Sequence, residues 1–372
     1  MFGATILVPL LIEIDPSIAL FSSGAGTLIF YYVTGGEVPA YLGSSFAFIS
    51  PIIAAKGLYG FDSVLAGIVL VGVVYILFSY LIKLIGTDLV SKYLPPAVIG
   101  PVIISIGLGL APVAKDMAEQ NIFIAMFTLA IALGFMVYGK GTFKITPILL
   151  GIIGGYTLSL YLGIVNTEII YNASWLSLPS FQLPNFSNLT GVSTFLIPIS
   201  VVTVAEHIGD IGALSRACNA NYYKSPGLHK TLLGDGLATM FAGFVGGVPN
   251  TTYGENIGVI EITGIKNPKI IRLAAIIVVA LSFSGKFSAA IASIPEPVMG
   301  GISILLYGMI AMVGVRTLLN QEDLGLNKNM AIASTIVVIG VSGISVPIYI
   351  FEFSGMAAGA IIGIILNAIF NH

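Results

Sequence analysis

Val248-Pro249-Asn250-Thr251-Thr252-Tyr253-Gly254-Glu255-Asn256-Ile257-Gly258-Val259-Ile260 is the stretch on which the fold turns. Pro249 has no backbone N–H and disfavours a helix through itself. Asn250, Thr251 and Thr252 compete for backbone hydrogen bonds in non-helical conformations. A helix can therefore start only near Glu255. The apolar run that follows, 255–264, yields a helix of about 15 Å at 1.5 Å per residue. A hydrocarbon core of roughly 30 Å is twice that depth. An earlier stretch is built the same way: Val38-Pro39-Ala40-Tyr41-Leu42-Gly43 precedes a short run at 45–56.

That the relevant solvent is lipid follows from composition. Only 9% of the 372 residues are charged and 56% are hydrophobic, with a mean hydropathy of +1.01. A water-facing globule carries about 25% charged residues. The net charge of −2 leaves no basic face for nucleic acid. One cysteine, Cys218, excludes an internal disulfide, and three scattered histidines argue against a His-based metal cluster. No resident cofactor or metal is expected. The N-terminus lacks the pattern of a cleavable signal.

Apolar runs fall near 1–12, 17–34, 45–56, 62–86, 95–112, 121–138, 145–164, 192–216, 229–247, 255–264, 270–291, 296–318, 329–346 and 354–371. These fourteen segments predict an all-α polytopic membrane protein. The first, from Met1 to Ile12, gives roughly 18 Å of helix, so a full span there needs residues upstream. With the N-terminus in the cytoplasm, 12 of the 15 Lys and Arg fall on the inner side; only Lys56, Lys115 and Lys286 fall outside. The positive-inside rule therefore orients both termini to the cytoplasm of a multi-pass protein of the cell (inner) membrane. The connection 166–190, with Trp175, lies on the outer face and carries no functional reading.

Val38-Pro39 and Val248-Pro249 stand 210 residues apart; Leu94-Pro95-Pro96-Ala97-Val98-Ile99-Gly100 and Ile294-Pro295-Glu296-Pro297-Val298-Met299-Gly300 stand 200 apart. Landmarks in the same order at similar offset indicate two halves of seven segments. An odd number forces the halves to insert with opposite topology. Inverted repeats with interrupted segments in matching places point to the binding site of a secondary transporter.

Three acids lie inside this apolar frame. Glu206 sits deep in a span, Asp210 is four residues on and on the same helix face, and Glu255 opens the second short helix at its positive end. A carboxylate at bilayer depth costs about 2.5–3.5 kcal/mol on insertion scales, so it normally lines a polar cavity. The alternative for each is internal capping or pairing, with His207 or backbone amides. His207 points to another face and is read as a packing histidine with satisfied nitrogens, the alternative being a proton relay. Glu261 is read as a solvated helix end.

Glu206-His207-Ile208-Gly209 and Asn250 to Val259 resemble the nucleobase–ascorbate transporter family, and its uracil branch in particular. Glu255, Asn256, Gly258, Thr263 and Gly264 fill every fixed position of the family signature. Pro39-Ala40-Tyr41-Leu42-Gly43-Ser44-Ser45-Phe46-Ala47-Phe48 and Pro297-Val298-Met299-Gly300-Gly301 are also similar to that branch. The resemblance covers essentially the whole chain. It implies fourteen transmembrane segments in two inverted repeats of seven, with a short β-strand and a half-helix in segments 3 and 10. It implies a core domain from residues 1–90 and 191–293, with segment 1 cut short, and a gate domain from 91–190 and 294–372. Homodimers through the gate are implied as well.

The resemblance implies no enzyme but a proton-coupled nucleobase importer working by core-against-gate alternating access. Carried over, Glu206 and Glu255 accept ring N–H groups, and the backbone amides of Phe46 and Gly254 donate to the carbonyl oxygens. Ala4, Ser45, Tyr253 and Tyr307 complete the site, with Glu206, Asp210 and Glu255 handling protons. Asp210 departs from the uracil branch, which has a histidine there; purine carriers often have an acid. Glu255 and Tyr253-Gly254 favour uracil over xanthine or another purine. An anion transporter or channel of the same architecture would want a positive centre at the half-helix ends. An intramembrane enzyme would need a nucleophile–base pair or metal cluster, and neither stands at matched positions.

Overall fold

The computed structural model describes residues 2–86, 92–321, 325, 327–348 and 351–371. The first half comprises α1 (Phe2–Leu11), α2 (Pro16–Val33), β1 (Leu42–Ser44), a 3₁₀ turn at Phe46–Phe48 running into α3 (Ile49–Tyr59), and α4 (Phe61–Ile85). It continues with α5 (Pro96–Gly109), α6 (Ala111–Glu119), α7 (Ile122–Tyr138) and α8 (Pro147–Tyr161). The second half comprises α9 (Leu189–Cys218), α10 (Leu228–Val245), β2 (Asn250–Thr252), α11 (Glu255–Thr263), α12 (Pro268–Ser282) and α13 (Gly285–Ala292). It ends with α14 (Glu296–Leu318), α15 (Asn327–Ser342), the hairpin β3 (Ser345–Ile348) and β4 (Phe351–Ser354), and α16 (Met356–Asn371).

Among the described residues five helices are long and apolar enough to cross a membrane: Pro16–Val33, Phe61–Ile85, Pro96–Glu119, Phe186–Cys218 and Glu296–Leu318. The pair α12 and α13 makes a sixth if counted as one bent span, and four more apolar helices are shorter. The protein is mostly helical and belongs in the membrane on these grounds.

Helices pack in two sets. In one, α4 runs along α10, and α2 packs on α10 and α12. In the other, α5 runs along α14 and α15, α7 packs on α8 and α14, and α16 on α15. Both sets rely on backbone approach at glycine. A Cβ at Gly72 of α4 would sit 2.6 Å from the Met240 amide nitrogen of α10, and one at Gly314 of α14 would sit 2.6 Å from the Gly100 carbonyl of α5. Small residues let helices associate where no hydrophobic force acts between them. Helix α9 lies between the sets, against α4 and α3 on one side and α5 and α16 on the other.

The two interrupted stretches meet. β1 pairs antiparallel with β2, Leu42 opposite Thr252, Gly43 opposite Thr251 and Ser44 opposite Asn250. Ser45 N–H to the Pro249 carbonyl (3.0 Å) and Tyr253 N–H to the Tyr41 carbonyl (3.1 Å) extend the ladder. A two-stranded ribbon at membrane depth leaves two bare edges, and every such group needs a partner. Threonines supply them. Thr27 of α2 accepts from Leu42 N–H (2.9 Å) and donates to its carbonyl (3.2 Å). Thr239 of α10 accepts from Asn250 N–H (3.2 Å) and donates to its carbonyl (2.7 Å).

Two local features differ from the sequence reading, and a third adds to it. Segment 11, read as one run over 270–291, is two helices bent by 88°, because Ser284 caps a fresh start by accepting from Phe287 N–H (3.3 Å). Between α15 and α16 the chain forms the β3–β4 hairpin, with Ser345 opposite Ser354, where only a loop was expected. The outer connection 166–190 is stitched to the first helix set: Asn185 N–H bonds the Asp62 carbonyl (2.9 Å), Gln182 N–H that of Val245 (3.3 Å) and Ser177 N–H that of Phe283 (2.9 Å). Lys286 Nζ donates to the Ile170 (2.7 Å) and Tyr171 (2.8 Å) carbonyls of the same connection.

Candidate functional site

The strand pair places the starts of α3 and α11 back to back, and α9 passes beside both. Helix N-termini leave their first N–H groups without intrahelical partners, so the turns at Phe46 and Gly254 present amides to whatever lies before them. Asp210, buried on α9, faces the second of these: a Cβ at Gly254 would stand 2.8 Å from Asp210 Oδ1. Glu206 is half-buried one turn earlier on the same face. Between them Gly209 brings α9 onto α5, since a Cβ there would lie 2.8 Å from Ile99 Cγ2.

Tyr253 is buried across the ribbon. Its hydroxyl is 3.1 Å from Thr5 Oγ1 of α1 and donates to the Ser44 carbonyl at 3.3 Å. Its ring leans on Tyr41, centroids 6.4 Å apart. Phe46 meets Tyr307 of α14 edge to face at 5.5 Å, one aromatic from each helix set. Among the described residues, buried Ser45 Oγ has no hydrogen-bond partner, and the Tyr307 hydroxyl is buried beside Ser303. A buried hydroxyl like that of Ser45 is uncommon and marks a place where a polar ligand can complete the arrangement. The structure thus brings together Glu206, Asp210, Ser45, Phe46, Tyr253, Gly254 and Tyr307. The side chains of Glu255 and Ala4 lie outside the described residues; their backbones open α11 and run within α1.

The remaining signature residues shape α11. Among the described residues nothing lies within 4 Å of where a Cβ at Gly258 would stand, and Gly258 lines a cavity of about 440 Å³, which runs from Gly254 past Ile257 to Glu261 and Arg316. Asn256 is buried. Thr263 donates to Val259 and Gly264 adopts φ +67 as the left-handed cap, so these two end the helix. Glu261, read as a solvated helix end, is partly exposed and 3.7 Å from Arg316. A second cavity of about 420 Å³ lies at the other end of α9, lined by Ser50, Phe195, Pro198, Gly340 and Gly355. It stops two turns short of Glu206.

Both ring nitrogens of His207 have partners, as the packing reading expects. Its Nδ1 lies 2.9 Å from Asp235 Oδ2 and its Nε2 2.9 Å from Thr231 Oγ1, all fully buried. A carboxylate only accepts, so the Nδ1 proton belongs to that bond. Asp235 also accepts from Thr252 N–H (3.1 Å) and from its hydroxyl (3.1 Å). Asp235 therefore anchors β2 to α9, and the sequence reading passed over it. The signal was present: an acid inside the apolar run 229–247 obeys the same depth argument as Glu206. One turn before Glu206, Tyr75 of α4 donates to Thr203.

The Permease family model for xanthine and uracil permeases matches residues 1–349. The chain is 44% identical to the uracil permease of Bacillus subtilis (strain 168), over 99% of this chain and 89% of that one. It is 45% identical to that of Bacillus caldolyticus over 99% and 89%, and 42% identical to that of Escherichia coli (strain K12) over 100% and 88%. Among solved structures, the transmembrane domain of the cyanobacterial bicarbonate transporter BicA superposes with a TM-score of 0.59 at 14% identity, covering 99% of this chain and 92% of that one. SLC26A9 gives 0.73 at 12% identity, covering 99% and 63%. At such identities the likeness concerns the fold alone.

Proposed function

The chain belongs to the permease family of nucleobase–ascorbate transporters, and from that premise we propose that it imports uracil with protons. Identity of 42–45% along nearly the whole chain to three uracil permeases carries the substrate. The paired broken segments supply the means. Uracil offers alternating N–H donors and C=O acceptors on a flat ring. Ionised carboxylates accept only, which suits Glu206 and Glu255 to the ring N–H groups. The amides of Phe46 and Gly254 suit the carbonyl oxygens. Tyr253 and the Phe46–Tyr307 pair form walls, with Ser45 and Ala4 beside them.

We read the helices as fourteen segments in two inverted repeats, segments 1–4 and 8–11 forming a core and 5–7 and 12–14 a gate. The termini lie in the cytoplasm, the membrane is the inner one, and two copies join through their gates. The cavity at Gly254 opens beside Arg216 and Arg316, on the basic, cytoplasmic side. The core then slides past the gate along α9, where Gly209 touches α5. Glu206 titrates with Asp210 as a pair sharing protons, and its neutralisation permits the loaded core to cross. Acids at the half-helix ends disfavour the anion-transport alternative. Tyr253-Gly254-Glu255 favours uracil over a purine.

Radiolabelled uracil uptake into proteoliposomes, with and without an inward proton gradient, tests this reading. Gradient-driven uptake blocked by unlabelled uracil is expected. Block by xanthine alone would move the substrate to purines, and no uptake by folded protein would refute nucleobase symport.

A further inference from the structure

We infer that Thr5 and Gly43 determine specificity: together they pin the Tyr253 ring as a fixed wall and restrict the site to a monocyclic dioxopyrimidine. The inference rests on reading Tyr253 as a wall of the nucleobase site. Thr5 comes from α1, Gly43 from β1 and Tyr253 from the turn after β2, so three separate elements meet at one phenol.

The geometry leaves that phenol little freedom. Thr5 is buried, 2% exposed, with Oγ1 3.1 Å from the Tyr253 hydroxyl. Because that hydroxyl gives its proton to the Ser44 carbonyl at 3.3 Å, its lone pairs are left to receive the proton of Thr5. The ring itself lies over β1 only because residue 43 has no side chain: a Cβ there would stand 2.3 Å from the phenol oxygen and 2.4 Å from Cζ. Tyr41 backs the ring at 6.4 Å, and Ser23 Oγ, 3.3 Å from the Tyr41 hydroxyl, holds that ring in turn. Tyr253 directly precedes Gly254 and Glu255. A shift of its ring that reaches the backbone therefore moves the Gly254 amide proposed to address the base. A wall tied at its tip to α1 and seated on a glycine has no slack to retreat before a second fused ring.

Thr5→Val replaces the hydroxyl by a methyl group at nearly constant volume and frees the tip on the α1 side. Thr5→Ser keeps the hydroxyl, and Tyr253→Phe removes the same bond from the other partner together with the one to the Ser44 carbonyl. Wild type and variants, each checked for a cooperative thermal transition in detergent, are assayed for uracil uptake in proteoliposomes against unlabelled uracil, 5-methyluracil and xanthine. Thr5→Val should raise the KM for uracil by about fivefold, the loss of one net hydrogen bond. Its maximal rate should stay unchanged, and its preference for uracil over the two bulkier competitors should narrow. Thr5→Ser should restore both. The double variant should behave as Tyr253→Phe alone, because the two substitutions remove one shared bond.

Wild-type KM and selectivity in Thr5→Val, or effects of the two substitutions that simply add, would overturn the inference while leaving uracil transport intact. If Thr5→Val does not fold, Tyr253→Phe must by itself narrow the selectivity, and unchanged selectivity there overturns the inference equally. Absence of uracil uptake by the wild type would instead strike the transport reading, and this inference with it.

Discussion

Replacing Asp235 by alanine removes a group that three donors address: His207 Nδ1 at 2.9 Å, Thr252 N–H at 3.1 Å and the Thr252 hydroxyl at 3.1 Å. None of these donors has access to water, since His207, Asp235 and Thr252 are all buried. Each buried donor left without its acceptor costs about 1–3 kcal/mol, and the His207 and Thr252 side chains both lose theirs. A stranded backbone amide alone costs about 1–3 kcal/mol. The penalties overlap, and about 4 kcal/mol is expected for Asp235→Ala. Asparagine keeps an acceptor for the Thr252 amide, so Asp235→Asn should lose roughly 1–2 kcal/mol. Reversible denaturation in detergent micelles measures both. Uracil binding should fall along with stability in the alanine variant, since Thr252 directly precedes Tyr253 and Gly254. An Asp235→Ala protein within about 1 kcal/mol of wild type would refute the claim that this carboxylate anchors β2.

Other substitutions test other parts of the site. Glu206→Gln should abolish uptake driven by a proton gradient while preserving exchange of uracil across the membrane; normal gradient-driven accumulation would exclude Glu206 from coupling. Gly254→Ala places a Cβ 2.8 Å from Asp210 Oδ1, so the carboxylate or the helix start must give way. Uracil affinity should drop about tenfold, or 1.4 kcal/mol, read by calorimetric titration. Thr239→Val removes both hydrogen bonds that satisfy Asn250 on the outer edge of β2 and should cost about 1–2 kcal/mol in the same denaturation assay. Stability unchanged from wild type would mean that the ribbon edge finds other partners.

Much of the fold was legible in the sequence because the information is local. Low charge places the chain in lipid, prolines at 39 and 249 break two segments, and carboxylates at 206 and 210 fall on one face of one helix. Each of these needs only a neighbour or a helical period to be read. Asp235 was legible by the same depth rule and was overlooked. The bend after Ser282 and the β3–β4 hairpin were not legible, because a serine cap and a short strand pair look like ordinary residues of an apolar run until packing selects them.

The rest required the three-dimensional arrangement. No periodicity says that Leu42 lies opposite Thr252, or that Thr27 and Thr239 of separate helices close the two edges of that ribbon. Nor does any local pattern bring Thr5 to Tyr253, 248 residues away, or His207 to Asp235 and Thr252. The sequence by itself determined the solvent, the broken segments and which polar groups lie at depth, because transfer energies and backbone preferences belong to single residues and short windows. Tertiary structure decided which of those polar groups meet. In a medium that offers no hydrogen bonds of its own, each buried group must find its partner elsewhere in the chain, and only packing fixes which one.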